Sequence, residues 1–218
     1  IWIKKKMREV PKFYNDLDLT LKEIEYLLSR GVKDRKSSFH YTMLSTVDNK
    51  TPESRTVILR NFNKDIFELN IHSDLRSEKI NQIESNNNVS CLFYDDKKKI
   101  QIRINGQAKI EKSYQPSWEK LTNWSKRCYL SENKPGTEIG KPSSGFPDRF
   151  VNESPTDKDS IEGLKNFAVI KVLISTVVNE GVNIPSMDVI IMAGGGKSNK
   201  QTVQRVGRAL RKSEGKSK

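Results

Sequence analysis

The sequence predicts a mainly β domain with flanking helices, an α+β class in which short antiparallel strands form a small β-barrel. Three observations predict it. Runs rich in β-branched and aromatic residues recur at 39–47, 54–62, 65–72, 89–96, 99–110 and 166–174, as strands require. Turn-forming stretches, DNKTPE and NK, separate the first three runs, so neighbouring strands are expected to be antiparallel. Within 99–110, Ile100, Ile102 and Ile104 alternate with Gln101, Arg103 and Asn105, which gives one buried and one polar face. Strands joined in this way, with helices interspersed, point to a barrel.

The helices follow from period and punctuation. Thr20-Leu21-Lys22-Glu23 fits a capping box, and Leu21, Ile24, Leu27 and Leu28 recur at helical spacing. Gly31 is expected at the C′ position that ends this helix. Residues 76–86 read as a short helix ending in the Asn run 86–88. Residues 114–130 suit a longer one with Trp118, Leu121 and Trp124 on its inner side. The stretch 131–160 holds four of the eight prolines and reads as one long loop.

Composition excludes several classes. No apolar run approaches the roughly 18 residues that span a bilayer, and IWIKKKMREV carries charge before any apolar stretch, unlike a signal peptide. The expectation is a cytoplasmic protein without a membrane partner, with Met7 a plausible natural start. The only cysteines are Cys91 and Cys128 and the only histidines are His40 and His72. That argues against a disulfide scaffold and against a metal cluster. The net charge of +12 points to an anionic partner, and residues 173–218 carry +5 of it.

The constellation richest in chemistry spans 55–79. Arg55 and Arg60 bracket a hydrophobic strand, and Ser73, Ser77 and Lys79 follow on a turn opening into a helix. Guanidinium forks, hydroxyls and helix N-terminal amides all donate to phosphate oxygens. These residues suit a phosphate cradle, and they equally suit a solvated strand and helix start.

The order FYNDLDLTLKEIEYLLSRGVKDRKSSFHYTMLSTVDNKTPESRTVILRNF, NIHSDLRSEKINQI, IQIRINGQAKI resembles the pyridoxamine 5'-phosphate oxidase family, specifically its FMN-binding split-barrel relatives. The resemblance runs from about Phe13 to Val172. It implies an FMN-binding split-barrel domain over 13–172 behind an extension at 1–12. It also implies that Arg55, Thr56, Val57, Ile58, Leu59 and Arg60 lie along the flavin and that His72 and Ser73 contact it. Ser77 and Lys79 grip the phosphate, and Gln101 on the next hairpin completes the set. One departure stands out: Glu78 occupies a position where the oxidases place a basic residue, and Arg76 is the candidate replacement. The resemblance further implies a homodimer, a phosphorylated small-molecule substrate and hydride transfer from an amine or alcohol carbon to flavin, with reoxidation by oxygen. Arg60, Arg127, Tyr129 and Ser131 are candidate substrate contacts, although the last three depart from the family's spacing. A non-catalytic flavin- or haem-holding module is the alternative within this barrel.

After Val172 the resemblance stops, and the family's usual last strand and Trp- and Arg-bearing motif are not found. STVVNEGVNIP and QTVQRVGRALR are instead similar to motifs V and VI of superfamily-two helicases, which makes 173–218 a partial helicase C-terminal-lobe-like β-α tail. There Arg205, Arg208 and Arg211 would be vestigial phosphate-sensing arginines on a helix over 198–212. A partial helicase or ATPase fragment, touching nucleic acid through the basic tail, is the alternative function. Gly194-Gly195-Gly196-Lys197-Ser198 is not a Walker A loop, because the required first Gly position is Ile191. The junction of two families suggests a chimeric or fused chain.

Overall fold

The structure, a computed structural model, describes the backbone of residues 11–141, 143–179, 182–185 and 187–191. Its centre is a sheet of antiparallel strands: β1 (Tyr41–Asp48), β2 (Thr51–Asn63), β3 (Glu68–Asp74), β4 (Asn88–Asp95), β5 (Ile100–Lys112) and β6 (Phe167–Ile174). The strands pair in the order β4-β1-β2-β3-β6-β5, and β4 also pairs with β5. Six strands thus close into a barrel, which removes their free edges. β7 (Thr176–Asn179) and β8 (Val182–Pro185) form a separate two-stranded sheet, and β9 (Met187–Ile191) pairs with β5.

Period-two burial fills the interior. Thr42, Leu44 and Thr46 of β1, Leu69, Ile71 and Ser73 of β3, and Ile100, Ile102 and Ile104 of β5 all face inward. β6 has no such alternation because it is covered on both sides. Ala168, Ile170 and Val172 join the barrel core, while Phe167 and Val169 pack outside it with Trp118, Tyr129 and Leu164. A strand buried on both faces reads as a continuous apolar run.

Helix α1 (Leu17–Lys33) lays Ile24, Leu27 and Leu28 on the core. Its cap is Asp16, whose Oδ1 accepts from the amide of Leu19 at 2.9 Å, rather than Thr20. The Thr20 hydroxyl instead donates to the carbonyls of Phe13 and Asp16. Gly31 does not end the helix either. It sits within α1, where a Cβ would lie 2.3 Å from the carbonyl oxygen of Phe39. His40 Nδ1 lies 2.7 Å from the Gly31 carbonyl oxygen and locks the same contact. Gly31→Ala should therefore lower stability by about 1–3 kcal/mol through overpacking, despite the ~1 kcal/mol of helix propensity it gains. A lower urea midpoint at unchanged m-value is the expected measurement.

The expected helix over 114–130 is three short turns: α3 (Gln115–Trp118), α4 (Asn123–Lys126) and a 3₁₀ turn at Arg127–Leu130. Thr122 breaks it by capping α4, its side chain accepting from the Ser125 amide. Trp118 is buried and Leu121 partly so, but Trp124 is half exposed. The expected loop at 131–160 contains a 3₁₀ turn at Asp148–Phe150 and leads into α5 (Asp157–Leu164). A reciprocal capping box between Thr156 and Asp159 nucleates α5. α2 (Glu78–Ser85) lies where residues 76–86 predict it. No helix among the described residues is long and apolar enough to cross a membrane.

Candidate functional site

A cleft of about 360 Å³ opens where β2, β3, the start of α2 and the 127–130 turn converge. β2 supplies Arg55, Thr56, Val57, Ile58 and Arg60, and β3 supplies His72, Ser73 and Asp74. Lys79 comes from the first turn of α2, and Cys128, Tyr129 and Pro135 close the far side. Arg60 reaches the cleft because of a register shift. Leu59 pairs with Ile71 and Asn61 with Asn70, so Arg60 is an extra residue in β2, and such bulges re-aim a side chain.

Arg55 is held from below. Its Nη1 donates to Thr46 Oγ1 at 2.6 Å and its Nη2 to Gln82 Oε1 at 2.9 Å, while Thr46 donates to the same Gln82 oxygen at 2.6 Å. A buried threonine and glutamine thus fix the guanidinium without neutralising it. Burial lowers the Arg55 pKa, an effect partly offset by Glu53 and Glu78. Lys79 Nζ lies 3.5 Å from Ser73 Oγ. Ser73 Oγ is 3.1 Å from Ser77 Oγ, which donates to the Asp74 carbonyl at 2.7 Å. Burial also lowers the Lys79 pKa, with Arg55 adding to it and Asp74 opposing it. Ser77 leaves the start of α2 without a side-chain cap, so no capping side chain competes for the first amides of that turn.

Arg76 does not replace the missing base. It binds Asp74 through Nε at 3.0 Å and Nη2 at 2.8 Å, and its Nη1 donates to the Ser131 carbonyl at 2.9 Å. It therefore neutralises Asp74 and fastens the loop leading to Pro135. Glu78 is exposed and outside the cleft lining. The cleft keeps Arg55, Arg60 and Lys79 as cations, and among the described residues none of the three forms a salt bridge. Arg55 and Lys79 are partly desolvated there, and nearby carboxylates only partly offset that cost, so the cleft favours an anionic ligand.

A second cavity of about 170 Å³ adjoins the first and shares Arg60, His72, Cys128 and Tyr129 with it. Its other walls are Leu121, Trp124, Ser125 and Arg127. The Arg127 guanidinium lies 3.6 Å from the Trp124 ring centre and 4.4 Å from that of Phe146. Its Nη1 donates to the carbonyls of Phe150 and Val151. Tyr129 and His72 both stand edge-on to Phe167, each at 5.0 Å between ring centres. Burial pushes the Tyr129 phenol up and His72 down to about 4, with Arg60 adding to the His72 shift.

The structure brings together Arg55, Thr56, Val57, Ile58, Arg60, His72, Ser73 and Lys79, with Ser77 just beneath them. Leu59 points into the barrel core. Gln101 lies opposite Tyr94 on β5 and does not line the cleft. Arg127 and Tyr129 line the second cavity, whereas Ser131 contributes its carbonyl to Arg76. Arg205, Arg208, Arg211 and the expected helix over 198–212 lie outside the described residues. Sequence reasoning missed Asp74, Cys128, Leu121, Trp124, Ser125 and Pro135, which carry no spacing signal of their own. Thr46 and Gln82 were detectable only as polar residues in otherwise apolar inward-facing patterns.

Fold and site together define a split β-barrel with a cationic cleft on its outer wall. Residues 22–112 match the family model of the pyridoxamine 5'-phosphate oxidase FMN-binding domain, and this part of the chain is similar to that domain. A pyridoxine/pyridoxamine 5'-phosphate oxidase 2 of Arabidopsis thaliana is 28% identical over 109 residues, 49% of this chain and 54% of that protein. The chain thus spans about half the length of that curated relative. Among solved structures, a pyridoxamine 5'-phosphate oxidase-related, FMN binding protein of Nostoc punctiforme superposes with a TM-score of 0.57 at 21% identity. That match covers 84% of this chain and 87% of the other. PhzG of Burkholderia lata, in complex with tetrahydrophenazine-1-carboxylic acid, also gives 0.57, at 15% identity and 84% and 85% coverage. These likenesses show the shared fold. Residues 139–213 match a helicase conserved C-terminal domain, which is compatible with the helicase-like tail. The match begins well before the tail: 139–174 includes α5 and β6, and β6 is a barrel strand between β3 and β5.

Proposed function

We propose that this chain binds FMN in the larger cleft and acts as an oxidoreductase of the pyridoxamine 5'-phosphate oxidase type. One observation carries the reading. Arg55 and Lys79 converge with Ser73 and Ser77 beside an uncapped helix start, in a domain matching an FMN-binding family. These residues fit a phosphomonoester: two cations offset its charge and two hydroxyls and the first amides of α2 meet its oxygens. Bound flavin would supply the hydride-accepting chemistry. The protein's part is to anchor the phosphate, lay Thr56, Val57 and Ile58 along the ring system, and hold a substrate alongside.

The smaller cavity is the proposed substrate chamber. It has Arg60 and Arg127 as cations, the Trp124 and Tyr129 rings as flat walls, and no acidic residue in its lining. That chemistry suits a planar, anionic molecule such as a phosphorylated ring. Neutral His72 between the two cavities presents an imidazole rather than a competing charge.

A homodimer is part of the proposal. Tyr41 is 49% and Met43 43% exposed on the barrel's outer face, and Tyr94 is 39% exposed beside Gln101. The register joins Met43 to Leu92 and Tyr41 to Ile58, so this apolar face runs into the cleft wall. A second copy covering it would place Gln101 in the contact region. Gel filtration of the FMN-treated chain with a flavin absorbance trace tests both points. The expected result is co-elution of flavin at dimer mass, and Met43→Glu should shift the protein to monomer mass with weaker flavin retention. Colourless protein that takes up no FMN would overturn the reading.

A further inference from the structure

We propose that Gln82, together with Thr46, is a positioning residue that aims Arg55 at the flavin phosphate and keeps its charge available to it. An uncharged amide on α2 then decides whether the cleft distinguishes FMN from a flavin without phosphate. The inference rests on the FMN reading above and adds a residue outside the cleft lining. Gln82 belongs to α2 and is 7% exposed. It lies three residues after Lys79, so the two share a side of the helix. Lys79 lines the cleft, and Gln82 backs Arg55.

The three side chains close a ring. Arg55 Nη1 donates to Thr46 Oγ1, the Thr46 hydroxyl donates to Gln82 Oε1, and Arg55 Nη2 donates to that same oxygen. The Leu44 carbonyl accepts a longer bond from Nη1 at 3.4 Å. The Thr46 and Gln82 oxygens are 2.6 Å apart, so they sit side by side on the Nη1–Nη2 edge of the planar guanidinium. The Nε–Nη2 edge is left without a protein acceptor among the described residues. An edge of that kind is a fork that meets two phosphate oxygens in parallel.

Every one of these acceptors is neutral. Arg76 supplies the contrast within the same site. Its guanidinium takes the Asp74 carboxylate and holds a loop, whereas Arg55 takes a hydroxyl and an amide and lines the cleft. The charge of the acceptor separates a structural arginine from one free to bind an anion. A carboxylate at position 82 would satisfy the same donors and cancel the charge that the ligand needs.

Equilibrium titration of the full chain with FMN and with riboflavin tests this. The native chain is expected to bind FMN the more tightly. Gln82→Glu, which changes one nitrogen to oxygen, should weaken FMN binding by roughly tenfold or more and leave riboflavin binding unchanged. Thr46→Val removes the hydroxyl and keeps the shape. It should give a smaller loss confined to FMN, and Thr46→Ser should retain native binding. The threonine pair keeps the test decisive should Gln82→Glu fail to fold. Side chains that only pack would lower both flavins together, and equal losses would overturn the proposal. So would a Gln82→Glu variant that keeps the native preference for FMN, an outcome that leaves the FMN reading standing. A native chain that binds riboflavin as tightly as FMN, or takes up neither, would overturn the phosphate reading and this proposal together.

Discussion

Lys79→Ala is expected to weaken FMN binding by roughly 10- to 100-fold, the equivalent of one charge-assisted hydrogen bond of about 1.5–3 kcal/mol. Riboflavin, which shares the ring system but lacks the phosphate, should bind the variant about as well as it binds the native chain. The split follows from chemistry, because Lys79 groups with the Ser73 and Ser77 hydroxyls while Thr56 and Ile58 line the same cleft without charge. The stability of the free protein should move the other way or not at all. Lys79 is a desolvated cation with Arg55 nearby, so removing it relieves repulsion rather than breaking a pair. A variant that loses FMN affinity at constant or raised melting temperature has lost a ligand contact, not its fold. Equal losses for FMN and riboflavin would overturn the phosphate assignment. The pH dependence has a defined sign. The Lys79 pKa is lowered in the folded protein, so Lys79 deprotonates at a pH below that of an ordinary lysine, and FMN affinity should fall as pH rises toward that range. In the same window the unfolded chain holds more protons, so stability of the free protein should rise.

Much of this site was legible because it lies on one regular strand and the turn after the next. Arg55 through Arg60 and His72 through Lys79 form two short stretches whose spacing survives folding. What could not be read is what long-range pairing creates. The support of Arg55 comes from Thr46 on β1 and Gln82 on α2, and local sequence marks each only as a polar residue at an inward-facing position, not as its partner. The bulge that turns Arg60 outward exists only in the pairing of β2 with β3. The barrel strands followed from period-two alternation, except that the double-sided burial of β6 needed the Trp118 cluster to explain it. The misread helices failed for local reasons. Thr122 and Thr156 are caps that divide or begin a helix, and in Pro-rich surroundings such caps resemble loop residues. Gly31 shows the reverse error. A glycine near a helix end suggests a terminus, but here its missing Cβ makes room for the Phe39 carbonyl.

His72 should make the fold acid-sensitive in a window set by its own titration. In the folded protein its pKa is about 4, lowered first by burial and then by Arg60, against about 6.5 in the unfolded chain. The sign follows from proton counting. Between those values the unfolded chain binds a proton that the folded chain refuses, so stability present above pH ~6.5 is lost as pH falls toward ~4. The full difference corresponds to up to about 3 kcal/mol. Within the cavity wall the cause is visible: the ring stands edge-on to Phe167, and its Nδ1 is buried with no hydrogen-bond partner among the described residues. His72→Phe removes the titration and keeps an aromatic ring against Phe167. Carboxylates also titrate in this range, so the informative quantity is the difference between the two stability curves. The native-minus-variant stability should fall progressively as pH drops from ~6.5 to ~4 and stay constant above, and parallel curves would refute the assignment. An anionic substrate in the smaller cavity sharpens the same test. An anion beside Arg60 offsets the repulsion that Arg60 exerts on a protonated imidazole, so the loaded protein should show a shallower acid slope than the free one. One histidine on the wall between the cavities would then report both the burial of the site and the charge of its occupant.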